Sequence, residues 1–256
     1  MEGKHIAVWF SCGAASAVAA KITLDKYGKH NKVSIINNPI KEEHEDNQRF
    51  LKDVEVWINH PIEFAVRSKY PNQSCYDVWQ ERRYMSGVAG APCTLELKKK
   101  ARQEWEKDNK PDLTVLGFTA EETKRASNFR LTERDTLLTP LIDEGYSKQD
   151  CFDTVLSAGI ELPYIYKLGF PNANCIGCVK ASSATYWNLV RKEFPEVFQL
   201  RSEQSGEVGA KLAYHAGRRV MLSDLPEGAK GRDLKNYNFE CGLFCEETLE
   251  GSKGDN

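Results

Sequence analysis

"KHIAVWFSCGAASAVAAKITLDKYG", residues 4–28, carries three signals in order. The uncharged apolar run Ile6–Phe10 reads as a strand buried on both faces. A small-residue turn opens at Ser11, and "AASAVAAKITLDKYG" (14–28) reads as a helix ended by Gly28, a residue suited to the left-handed position past a helix C-terminus. Strand, tight turn and helix make the corner where open α/β sheets hold anions, beyond the carboxyl end of a strand and against a helix N-terminus. Ser11, Gly13 and Ser16 offer a hydroxyl, a close-approaching backbone and a second hydroxyl. No Gly-Lys-Ser/Thr is present, so a Walker-type loop is excluded; a plain strand-to-helix corner is the alternative reading.

Outward from this corner the pattern alternates. "KVSIINN" (32–38) reads as a second strand, stopped at Pro39. Residues 42–58 place Phe50, Leu51, Val54 and Trp57 at helical spacing behind an acidic first turn, and "HPIEFAV" (60–66) reads as a third strand. Residues 70–92 are less regular; from Cys93 a charged helix over 94–109 leads to the strand "DLTVLGF" (112–118). Such alternation predicts an α/β fold with a doubly wound, mostly parallel sheet over residues 1–145. No strand is expected after about residue 145. A capped helix starting at Ser147 and another over 182–194 make 146–249 a helical, cysteine-bearing segment, and 250–256 reads as a disordered tail.

Composition narrows the classes. The 256 residues suffice for one α/β domain with an appendage or for two small domains. A net charge of −2 gives no global field for a polyanion, so a nucleic-acid partner needs a local basic patch. No apolar run reaches membrane-spanning length and the N-terminus enters a strand directly, which predicts a cytoplasmic protein with no membrane partner. Eight cysteines in a reducing compartment point to metal binding, redox work or plain burial.

Cys175 and Cys178 in "NCIGCV" can face one metal across Gly177, and Cys241 and Cys245 lie close together in "FECGLFCEE". Cys93 stands at a helix start, where the dipole favours thiolate. These five thiols suit a zinc or iron–sulfur site, the alternative being buried small hydrophobes; Cys75 and Cys151 read as core. In "GFTAEETKRASNFR" (117–130), Glu121 and Glu122 suit a magnesium ion or a ribose, and Lys124, Arg125 and Arg130 suit phosphates. A solvated charged loop is the alternative there.

Taken together these segments resemble one family. "FSCGAASAV" resembles the PP-loop of the ATP pyrophosphatase and phosphoadenosine-phosphosulfate (PAPS) reductase superfamily, and "LGFTAEET" its Gly-Ile-Arg-x-x-Glu-Ser segment. Residues 137–178, from "LLTPL" to "NCIGC", resemble its Pro-Leu pair, helix, Leu-Tyr-like pair and Gly-Cys-x-x-Cys element; "FECGL" is similar to its Glu-Cys-Gly-Leu-His motif. The order is kept from residue 6 to about 245.

The resemblance implies an adenine nucleotide α-hydrolase-like fold that binds ATP with Mg2+. It places phosphates on the loop Ser11, Cys12, Gly13, Ala14, Ala15 and Ser16 and beside Gly117, with Asn37 approaching the adenosine. It further implies an iron–sulfur cluster, or zinc, held by Cys93, Cys175, Cys178 and one of Cys241 and Cys245; Cys241 lies inside the motif and is the expected nucleophile. Cys12 and Ala15 replace a glycine and an aspartate of typical loops, so Glu121 or Glu122 would place the magnesium. Thr119 and Phe244 replace the reductases' arginine and histidine, and threonine cannot supply a guanidinium's charge. The pattern is closer to the ATP pyrophosphatases of DNA phosphorothioation systems. These adenylate a nucleic-acid oxygen, and a partner cysteine desulfurase supplies the sulfur. A sulfonucleotide reductase using Cys241 and thioredoxin, and a non-catalytic nucleotide-binding subunit with a structural metal, are the alternatives.

Overall fold

The computed structural model describes residues 1–87 and 90–234. At its centre lies β1 (His5–Phe10), every residue of which is buried, flanked by β2 (Lys32–Asn37) and β4 (Leu113–Val115). With β3 (Ile62–Phe64) and β5 (Leu137–Leu138) these form a five-stranded sheet of order β3-β2-β1-β4-β5, parallel at every pairing. The chain winds outward from β1 to one edge and then returns to its other side. The carboxyl ends of β1 and β4 therefore flank the point where the strand order reverses.

Helices cover both faces of the sheet. On one face α1 (Ala14–Tyr27), α2 (Asp46–Ile58) and α7 (Lys148–Ser157) bury Phe50, Val54, Cys151 and Val155 against Val8 and Ile35. On the other, α5 (Thr123–Thr132) brings Ala126 and Phe129 to Ala7, Trp9 and Ile36. Gly28 follows α1 in a right-handed conformation, φ −61°, not the left-handed one expected; its N–H bonds to the Leu24 carbonyl and merely tightens the last turn. The α2 spacing buries Phe50, Leu51 and Val54 as read, with Ile58 completing the buried stripe.

A third apolar cluster lies beside the sheet. It joins α3 (Cys75–Arg82) and the segment after Cys93 to α9 (Ala184–Glu193) and α10 (Pro195–Glu207), with Trp79, Leu97, Tyr186 and Trp187 at its heart. The helix expected over 94–109 is two elements: a π-helical turn at Thr94–Lys100, then α4 (Ala101–Asn109). The expectation of no strands after 145 fails: β6 (Ala213–His215) and β7 (Arg218–Val220) form an antiparallel hairpin. Its strands are three residues each, too short for a periodicity to register. The apolar clusters run across residue 145 in both directions, since α7 packs with α1 while α3 packs with the C-terminal helices. No described helix is long and apolar enough to cross a membrane. Residues 235–256, with Cys241, Cys245 and the expected tail, lie outside the described residues.

Candidate functional site

The corner after β1 is built by the loop itself. The Ser16 hydroxyl donates to the Gly13 carbonyl at 2.9 Å and accepts from the Ser11 N–H at 3.1 Å, with the Ser11 hydroxyl 3.2 Å away. Ser16 is thus turned into the loop as its stitch, whereas Ser11 is exposed. Cys12 takes a left-handed φ of 56°, a conformation that its side chain disfavours, and is buried against Asn37, whose amide donates to the Cys12 sulfur at 3.4 Å. Asn37 also donates to the Phe10 carbonyl at 2.8 Å, so it braces the loop from the end of β2. Gly13 caps α1 with no side-chain hydrogen bond, and the first turn of α1, at Ala14 and Ala15, carries no acidic residue. Those amides keep the positive end of the helix open to an anion.

The segment after β4 meets this corner. A Cβ on Gly117 would lie 2.8 Å from the Ser16 backbone nitrogen and 3.0 Å from the Ala15 carbonyl carbon, so only glycine lets the two loops touch. Beyond it, Thr119 and Glu122 close a capping box, the carboxylate accepting from the Thr119 N–H at 3.1 Å and from Arg125 at 2.5 Å. Glu121 accepts from the Lys148 N–H at 3.2 Å. Burial pushes its carboxyl up, but hydrogen bonds from Thr119 and from the Glu121 and Lys148 backbone outweigh this and hold it below the usual range. Of the cations expected to meet phosphates, Arg125 lies over the Phe118 ring at 5.0 Å. Arg130 is spent on the Leu137 carbonyl and the Thr139 hydroxyl, while Lys124 is exposed.

Four cysteines converge beside this corner. Cys75, Cys93, Cys175 and Cys178 line one cavity with Ile40, Trp79, Lys98 and Lys180. Cys75 faces both Cys93 and Cys175, and these neighbours together with burial push its thiol well above its ordinary value. The Cys75 contact, outweighing burial, lowers the Cys93 thiol below its ordinary value, and Lys180 and Lys98 act in the same direction. Among the described residues no group of three or more histidine, cysteine, aspartate or glutamate side chains is spaced as a metal-ligand set.

Cys75 is buried in the core as read, and it also lines the cavity that Cys93, Cys175 and Cys178 line. The sign was present: Cys75 opens a helix behind Ser74, as Cys93 does behind Pro92, and Ser74 accepts from the Asp77 N–H. Cys151 is core as read, fully buried, its thiol pushed up to about 12 by burial.

Two adjacent glutamates bind these parts together, and the sequence offered only an acidic stretch. The Glu42 carboxylate accepts from the Cys75 N–H at 2.8 Å and the Tyr76 N–H at 3.2 Å, while its carbonyl accepts from the Ile176 N–H at 2.9 Å. One residue thereby clamps two thiol-bearing segments. Gly177, at φ 68°, turns between Cys175 and Cys178, where a Cβ would lie 3.1 Å from Val197 and Arg201. Glu43 points the other way. It faces Lys98 at 3.8 Å, accepts from Asn47 at 3.2 Å and acts on Cys12; burial, only partly offset by Lys98, raises its carboxyl to about 7.

No family model matches the chain, and no curated protein matches it.

Proposed function

We propose that this chain is an ATP pyrophosphatase of the PP-loop type, with the adenine nucleotide α-hydrolase-like fold, that adenylates an oxygen of a nucleic acid to prepare sulfur insertion. The observation that carries the reading is the contact of Gly117 with Ser16. It joins the loop after β1 to the loop after β4 at the reversal point of a parallel sheet, against a helix N-terminus that no side chain caps. An α/β sheet binds its ligand there.

The chemistry follows from that placement. The substrate oxygen attacks the α-phosphorus of ATP, the bond to the β-phosphate breaks, and pyrophosphate leaves. The α1 amides stabilise the developing negative charge. Magnesium would neutralise the polyphosphate, and Glu121 suits it better than Glu122, whose two oxygens are already engaged by Thr119 and Arg125. The end of β2 at Asn37 would approach the adenosine, with the Asn37 side chain bracing the loop. A desulfurase would pass its sulfane sulfur to one thiol as a persulfide, whose terminal sulfur displaces AMP from the activated phosphorus. A second thiol then cleaves the S–S bond, which releases the phosphorothioate and leaves a disulfide that an external thiol reductant reopens. The thiols Cys75, Cys93, Cys175 and Cys178 line one cavity with Lys98 and Lys180; they are not spaced as a ligand set here, so an iron–sulfur cluster or zinc would have to draw them closer together on binding. In this assignment Cys75 takes the fourth position, and Cys241 and Cys245 are both left for sulfur chemistry.

Incubation with ATP, Mg2+, DNA or RNA, cysteine and a cysteine desulfurase tests the reading. Equal amounts of AMP and pyrophosphate are expected, with sulfur in the nucleic acid. ADP and phosphate as products would sink it, and sulfite released from a sulfonucleotide would identify a reductase instead.

A further inference from the structure

Many cations of the sheet and its helices are spent on carboxylates: Arg49 on Asp46 and Asp53, Arg67 on Glu104, Lys99 on Glu133, Arg134 on Glu106. The β6–β7 hairpin departs from this. Residues 208–223 hold Lys211, Arg218 and Arg219 and no aspartate or glutamate. All three cations are exposed, and among the described residues none of them pairs with a carboxylate.

The hairpin presents them in a fixed order. Ala216 and Gly217 turn the chain with positive φ, 48° and 78°, the two-residue turn whose twist suits a hairpin. In the resulting register Ala213 and Val220 are buried, while Tyr214 and Arg219 stand side by side on the outer face, with His215 opposite Arg218 beyond them. Tyr214 is 51% exposed, and the Arg219 guanidinium is held across the ribbon by the Leu212 carbonyl at 3.2 Å. The far edge of β6 is anchored: the Tyr214 N–H donates to the Ser182 carbonyl at 2.7 Å, and Ser183 bridges to Tyr214. Ser182 follows closely on Cys178 and Lys180, which line the thiol cavity.

Unpaired guanidinium groups suit phosphates, and an exposed aromatic ring beside them suits the face of an unpaired base. An acidic peptide brings no base to stack, and a membrane would need an apolar tip where Ala216 and Gly217 stand. We propose that the outer face of the β6–β7 hairpin binds single-stranded nucleic acid, with Lys211, Arg218 and Arg219 on backbone phosphates and Tyr214 stacked on a base. This deepens the reading above, which makes a nucleic acid the substrate, and rests on it. The bound strand then lies against the segment that leaves the thiol cavity.

Fluorescence anisotropy of a labelled single-stranded DNA oligonucleotide, measured over a range of salt, compares wild type with Y214A and with R218A/R219A. Loss of stacking should weaken binding by Y214A about 5- to 150-fold at an unchanged salt slope. Loss of two phosphate contacts should make the slope of log affinity against log salt shallower by about 1.4 in R218A/R219A. Calorimetric ATP affinity should stay at the wild-type value in both variants. Should the double alanine variant fail to fold, R218Q/R219Q takes its place with the same expected slope. Variants that bind the oligonucleotide as wild type does overturn the hairpin assignment and leave the nucleic-acid reading standing. Variants that lose ATP affinity as well overturn the assignment too, since the cations would then serve the nucleotide corner. A wild type that binds no oligonucleotide overturns both, whether or not it binds polyglutamate or vesicles of anionic lipid.

Discussion

Gly117 sits where an added methyl group has nowhere to go, since the atoms it would meet are the backbone of α1's first turn. Gly117→Ala should therefore push the two loops apart. A cost of about 1–3 kcal/mol is expected from overpacking, read by denaturant unfolding, together with weaker ATP binding; a variant equal to wild type in both would contradict the contact. Glu43 gives a test by pH. Its carboxyl is raised from 4.5 to about 7, so between those values the folded protein holds more protons than the unfolded chain. Its stabilising contribution is fully present below pH 4.5 and falls as pH rises toward 7. Glu43→Gln removes that titration but leaves Lys98, Asn47, Cys12 and Glu42 around it. Wild type should therefore lose up to about 3 kcal/mol relative to the variant across the window. Parallel stability curves from pH 4 to 8 would show that Glu43 titrates normally.

The thiol group is assembled from three elements, which is why only part of it was legible in the sequence. Cys175 and Cys178 announce themselves by spacing, and Cys93 by its place at a helix start. Cys75 has no nearby partner in sequence; the clamp by Glu42 and the packing of α3 onto the C-terminal helices bring it in. If the proposed metal centre is held by these four thiols, Cys75→Ser and Cys178→Ser should both lose the metal and lower the melting temperature, since binding and folding are coupled. Cys151→Ser should keep the metal, by elemental analysis. Metal retained by Cys75→Ser would return that residue to the core reading. The π-helical turn after Cys93 was also hidden, because a seven-residue π-helix shares its composition with an α-helix. Glu96 anchors it, fully buried among Arg82, Lys100 at 2.7 Å and Arg67 at 3.6 Å. Glu96→Gln removes charge-assisted hydrogen bonds to partly exposed cations and should cost about 1–3 kcal/mol in unfolding free energy; an unchanged stability would show that they find other partners.

Across the whole molecule, the alternation of strands and helices predicted the parallel sheet, because β1 and β2 are buried apolar runs that periodicity detects. The 213–220 hairpin and β5 escaped it, being two or three residues per strand and set by tertiary contacts. The turn from β1 into α1 falls at 11–13, where the sequence pattern puts it, but the direction of the serine hydroxyls is not legible there: Ser16 faces its own turn, which no residue-type pattern reveals. In the proposed site Ser11 would serve the ligand and Ser16 the shape of the loop, so both should matter for binding. Titration of MgATP onto the wild type and onto the Ser11→Ala, Ser16→Ala double variant tests this most directly. The predicted result is saturable one-to-one binding by the wild type and none measurable in a variant that remains folded by circular dichroism. Equal affinity in the two proteins, or no binding by folded wild type, would contradict the assignment of this corner to a nucleotide.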